Sequence, residues 1–117
     1  MPLKKFRRFT VTKREQARRF VFQRINYFNK FYRFKIKRVA IKNTSSRWGS
    51  CSSLGNLNFN YKIIYLRPAV ADYLIAHELC HLGELNHSKR FWALVKKALP
   101  DYVGLNKELR RTPVNRI

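Results

Sequence analysis

The chemistry of this chain concentrates in His77-Glu78-Leu79-Cys80-His81 and His87, a stretch that holds all three of its histidines. The pattern is H-E-x-x-H with a third histidine six positions on. On a helix, His77 and His81 lie one turn apart on one face, with side-chain roots about 6 Å apart. Two imidazoles so placed can grip one zinc ion, and His87, just past the expected helix end, can return as a third ligand. Three protein ligands leave a fourth position open for water. Glu78, beside the first ligand, is placed to take a proton from that water. The chemistry implied is zinc-dependent hydrolysis, with peptide bonds as the favoured substrate. Glu84, three residues after His81, is a competing third ligand, but a tetrahedral set is hard to close from within the same helix, so His87 is preferred.

The residues around the motif say where it must sit. Tyr73, Leu74, Ile75, Ala76, Leu79 and Leu82 are apolar, which suits a core helix. A carboxylate and two imidazoles buried there are costly unless something pairs them, and a metal does so. Cys80, inside the motif at a position that carries no ligand, reads as a small core residue. Cys51 is an alternative fourth ligand for a closed, structural zinc site.

The elements that position the motif follow from periodicity. Thr12-Lys13-Arg14-Glu15 fits a capping box. Ala17, Val21, Ile25, Phe28 and Tyr32 then form an inward stripe, flanked by Phe20, Tyr27 and Phe31. Arg14, Arg18, Arg19, Gln23, Arg24 and Lys30 make the outward face of this helix, which is expected over about residues 12–33. Phe34 to Lys42 reads as a strand with a bulge near Arg38, and Arg47 to Cys51 as a second. After a hairpin loop over residues 52–56, Leu57 to Tyr61 is a third strand. Pro68 opens a helix that carries the motif from about Ala69 to Leu85, capped by Asn86. Ser88 caps a further helix over Lys89 to Leu99, with Phe91, Trp92, Leu94 and Val95 as core contacts, which Pro100 stops. The tail adds a short helix and frays. The expected fold is α+β: a small three-stranded antiparallel sheet packed against helices.

At 117 residues, with no linker or repeat, the chain reads as one domain, with its catalytic core over about residues 34–102. Two cysteines make no disulfide framework. Neither a secretory signal nor a stretch able to span a bilayer is evident, so a cytoplasmic monomer is expected. The net charge is +20, and residues 1–38 carry +13 of it. Such an excess predicts attraction to a polyanion, with nucleic acid expected to meet the basic first helix and an anionic membrane surface as the weaker option. The basic residues 1–11 are expected to be a flexible or strand-like lead-in.

Several separate motifs in order resemble the YgjP-like metallopeptidases, relatives of the SprT-like zinc proteases. They are Ser46-Arg47-Trp48-Gly49-Ser50-Cys51-Ser52, Gly55-Asn56-Leu57-Asn58, Pro68, His77 to Leu82, and Asn86-His87-Ser88-Lys89-Arg90-Phe91-Trp92. The resemblance spans about residues 12–102 and implies a zincin-like core. It also implies His77, His81 and His87 as ligands of one Zn2+, Glu78 as the base, and a protein or peptide substrate. The chain resembles a reduced-length member, because the family's longer β-rich segment before the first helix is short here. Trp48 reads as core packing against the first helix, with substrate contact as the alternative. The edge strand that includes Trp48–Ser50 is expected to receive substrate, and Arg47, Arg90 and Tyr65 are candidate oxyanion donors. Two other functions fit parts of the pattern. The spacing of the histidines is similar to zinc endoribonucleases of the YbeY type, but those place Gly where this chain has Glu78. A non-catalytic nucleic-acid-binding module would need a closed zinc site.

Overall fold

The computed structural model describes residues 9–117, so most of the basic lead-in lies outside the described residues. α1 (Val11–Tyr32) starts earlier than its capping-box pattern suggested. Thr10, in extended conformation, accepts the Lys13 N–H at 3.1 Å, and Thr12 lies inside the helix. The expected stripe is buried at Ala17, Val21, Ile25 and Phe28, while Tyr32 is half-buried and gives its hydroxyl to the Leu94 carbonyl at 2.6 Å. Of the flanking aromatics, Phe20 packs against the core, whereas Tyr27 and Phe31 are exposed. One cation expected on the outer face turns inward: Arg24 makes a two-pronged pair with Asp72 at 2.7 and 2.9 Å.

The strands are β1 (Arg38–Lys42), β2 (Gly49–Cys51) and β3 (Asn56–Asn60). The α+β class with three strands holds, but the sheet is mixed rather than antiparallel. Its order is β1-β3-β2, with β1 parallel to β3 and β2 antiparallel to it. Connection geometry explains the difference. Residues 52–55 form the only tight turn between strands, so β2 and β3 pair as a hairpin. The 43–48 segment instead crosses the end of β3 and leaves β1 on the far side, pointing the same way as β3. Buried Asn60 fixes that crossing, donating to the Thr44 and Arg47 carbonyls at 2.8 and 3.1 Å. The bulge expected near Arg38 has a counterpart, since the N–H groups of Lys37 and Arg38 share the Gly55 carbonyl at 2.9 and 3.3 Å. Phe34–Lys37, expected as strand, is irregular. The Asn29 side chain brackets Phe34, accepting its N–H and donating to its carbonyl.

α2 (Pro68–Cys80) carries the motif and lies against α1, α3, α4 and β2. It is buried nearly all round, as its composition implied. It ends at Cys80, well short of Leu85, so Asn86 caps nothing. The turn after it tightens, with Gly83 and Glu84 N–H both returning to the Cys80 carbonyl. Gly83 permits this turn to run beneath Phe34, because a Cβ there would come within 2.8 Å of the ring. α3 (Lys89–Ala98) starts on the expected Ser88 cap. The tail does not fray: α4 (Tyr102–Arg110) and a 3-10 turn at Val114–Arg116 pack down, with Val114 buried. The Trp48 indole N–H serves this segment, donating to the Thr112 carbonyl at 2.6 Å. No helix among the described residues is long and apolar enough to cross a membrane.

Arg24–Asp72 ties the basic helix to the motif helix and is only about a quarter exposed on each side. Asp72→Asn keeps the shape and leaves the guanidinium without its charged partner. Urea unfolding is expected to show a loss of roughly 1–2 kcal/mol, as a lower midpoint with an unchanged slope.

Candidate metal centre

The three imidazoles meet. His77 Nε2 lies 3.2 Å and His81 Nε2 3.1 Å from His87 Nε2. A tetrahedral zinc with bonds of 2.0–2.1 Å sets its nitrogen ligands about 3.3 Å apart. Two of the three separations therefore match such an ion, and all three donor atoms lie within 4.8 Å of one another. Among the described residues, His77, His81 and His87 form the one group of three ligating side chains close enough to share a metal.

Two of the rings are turned by hydrogen bonds behind them. His81 Nδ1–H donates to the Glu84 carbonyl at 3.0 Å, and His77 Nδ1–H to Glu78 Oε2 at 3.3 Å. Each bond assigns the proton to Nδ1 and leaves the Nε2 lone pair facing the centre. Glu84, the competing ligand, thus contributes its backbone carbonyl, and its carboxylate is not in the cluster. Burial and then the neighbouring imidazoles hold His87 below the ordinary histidine range. Its neutral, metal-ready form therefore persists at neutral pH.

Glu78 is buried, 5% exposed, beside this cluster. It faces β2, where Gly49 supplies the room: a Cβ at that position would lie 3.2 Å from Glu78 Oε2 and 3.0 Å from the Asn58 carbonyl. A cleft of about 280 Å³ runs between Gly49–Cys51, Leu85 and the three histidines. A larger cavity of about 680 Å³ adjoins it through His81 and Leu85, lined by Phe34–Lys37 and the 52–55 turn. Cys51 borders the cleft but lies outside the ligand cluster. Its thiol is pushed up to about 11 by burial and then by the Glu78 charge. Cys80 is fully buried, as a core residue should be.

None of the three oxyanion candidates lines the cleft. Arg47 borders a neighbouring cavity with Lys42 and Asn60, Arg90 is exposed on α3, and the Tyr65 hydroxyl is buried. Reading the sequence also missed an aromatic shell. Phe91 stacks on His81 with centroids 4.4 Å apart, and Trp92 stacks on His87 at 5.7 Å. The only signal was the adjacency of Phe91 and Trp92 to His87, which was read as core packing.

Comparison with known proteins agrees with this geometry. The model of the YgjP-like metallopeptidase domain matches residues 2–112. No curated protein matches the chain in a sequence search. Among solved structures, the metallopeptidase zymogen abylysin of Pyrococcus abyssi superposes with a TM-score of 0.69. It is 20% identical, over 78% of this chain and 92% of that one. The metallopeptidase zymogen jannalysin of Methanocaldococcus jannaschii superposes with a TM-score of 0.67. It is 16% identical, over 78% of this chain and 94% of its own. Both share the fold of this chain.

Zinc titration against a chromophoric chelator distinguishes the ligand sets. His77→Ala, His81→Ala and His87→Ala are each expected to weaken binding by roughly a hundredfold or more, and Glu84→Ala to leave it within a few-fold. Loss in Glu84→Ala with retention in His87→Ala would reverse the assignment.

Proposed function

The chain belongs to the YgjP-like family of metallopeptidase domains, and from that premise we propose a peptidase that holds one zinc ion on His77, His81 and His87 and uses Glu78 as its general base. The observation that carries this reading is the approach of the His77 and His81 Nε2 atoms to 3.2 and 3.1 Å from His87 Nε2, beside a carboxylate with 5% exposure. When bound, zinc supplies Lewis acidity, which acidifies water and polarises the scissile carbonyl. The protein does the rest. His77 and His81 are pre-oriented by their Nδ1 hydrogen bonds, so little is spent on ordering them. Glu78 takes the proton of the attacking water and returns it to the leaving amine. Its burial keeps that carboxylate out of bulk solvent, where its charge acts more strongly.

An extended substrate segment pairs with the free edge of β2, across the cleft from the histidines. In antiparallel pairing, its residues before the scissile bond run toward the 52–55 turn, where the 680 Å³ cavity opens. Gly49 lets the substrate's partner strand lie close to Glu78 without a side chain between them.

The targets we propose are proteins associated with nucleic acid. A specific surface favours this: Phe22, Tyr27 and Phe31 of α1 are 39%, 45% and 37% exposed. The Arg18 guanidinium lies over Phe22 at 5.6 Å, and Arg24, whose own charge is paired with Asp72, lies over Tyr27 at 4.6 Å. Cationic side chains interleaved with exposed aromatics suit single-stranded nucleic acid, which offers phosphates and stackable bases. A cytoplasmic, single-domain monomer with both cysteines reduced completes the proposal.

The test is cleavage of an unstructured protein by the zinc-loaded chain, beside Glu78→Gln. Glu78→Gln is expected to retain zinc and lose at least a hundredfold in kcat/KM. Zinc-dependent cutting of RNA without proteolysis would favour a nuclease instead. Affinity for single-stranded RNA is expected to fall steeply between 50 and about 200 mM salt, and the Arg18→Glu/Arg19→Glu variant to flatten that slope. Affinity indifferent to salt would sink the nucleic-acid clause alone.

A further inference from the structure

His87 differs from the other two histidines in what holds it. Its Nδ1 has no hydrogen-bond partner among the described residues, whereas His77 and His81 each have one. It is exposed and stands in the connection between α2 and α3. What faces its ring is Trp92, stacked at 5.7 Å with 22° between planes. Trp92 in turn stacks on Tyr102 of α4 at 5.2 Å and 15°. His87 and Tyr102 both stack on the indole, the arrangement of a three-ring column. Phe91 closes the edge of His87 at 5.0 Å and 81°.

The backbone is also set from this side. Ser88 follows His87 directly and caps α3, accepting the Phe91 N–H at 3.3 Å. The helix that begins there stacks Phe91 on His81 and Trp92 on His87, while Phe91 also meets His77 and His87 edge-on and Trp92 lies tilted 6.2 Å from His77.

We propose that Trp92, backed by Tyr102, is the positioning residue for the third metal ligand: it sets His87 by stacking where the other two ligands are set by hydrogen bonds. The inference rests on the reading of the three histidines as a metal site. A hydrogen bond fixes both the tautomer of a ring and its direction. A stack fixes only the plane and leaves the ring free to turn within it. His87 is thus the ligand that yields first, and the packing of α3 on α4 governs how tightly the metal is held. Trp92 acts through His87 and touches no reacting atom.

The experiment is a zinc competition titration on the full metal-free chain, with zinc itself as the probe. The variants are Trp92→Ala, Trp92→Phe, Tyr102→Ala, His87→Ala and the double variant His87→Ala/Trp92→Ala. Trp92→Ala is expected to bind zinc roughly tenfold more weakly, and Trp92→Phe to recover most of that loss. Tyr102→Ala, which leaves the indole in place, is expected to lose a few-fold and covers the case in which Trp92→Ala does not fold. The decisive comparison is the double variant. If Trp92 works through His87, removing it costs nothing further once His87 is gone. An undiminished loss in the His87→Ala background would show a merely structural role and overturn the proposal, as would wild-type affinity in Trp92→Ala. If His87→Ala itself binds zinc like the wild type, the metal-site reading fails first, and that outcome is distinct from the other two.

Discussion

A carboxylate and an imidazole buried at the end of an apolar helix are the constraint around which this molecule is arranged. α2 is buried on almost every side, yet Glu78 sits within its buried set, and His81, the residue just past its end, is buried as well. Left alone, such groups would destabilise the fold by several kcal/mol. Each is answered locally: Glu78 by the His77 ring, and His81 by the Glu84 carbonyl that the turn after Cys80 brings round. The early end of α2, the glycine that lets the turn pass beneath Phe34, and the return of His87 all follow from that need. Polar groups that would weaken an ordinary core here define a centre where charge can be concentrated.

The surrounding layers serve the same end by different means. α1 fills the core side with Ala17, Val21, Ile25 and Phe28 and is locked to α2 by Arg24–Asp72. The sheet presents Gly49 to the carboxylate. α3 contributes two rings, Phe91 stacked on His81 and Trp92 stacked on His87. The C-terminal segment braces the loop that leads into β2 through Trp48–Thr112 and the turn that follows β3 through Lys62–Val114.

Much of this was legible in the sequence, where physical periodicity is strong. The H-E-x-x-H spacing, the third histidine, the inward stripe of α1 and the Ser88 cap all rest on local rules, and the structure places them as those rules suggest. The family resemblance reached the same fold. What escaped was set by tertiary packing. Strand order depended on Asn60 holding a crossing loop, which no propensity encodes. Arg24 looked solvated because its partner is far away in sequence. Trp92 looked like core because stacking on an imidazole leaves no pattern. The oxyanion candidates were chosen by residue type alone, and the fold puts them elsewhere.

The brevity of β2 has a consequence for how the protein survives its own surface. A sheet edge that can welcome another chain's backbone is also a template for self-association. Here that edge spans Gly49–Cys51 only, and the chain turns away at both ends. So short a ladder offers any second backbone few hydrogen bonds. A second copy therefore finds too little there to polymerise upon, and the exposed edge stays a weak template.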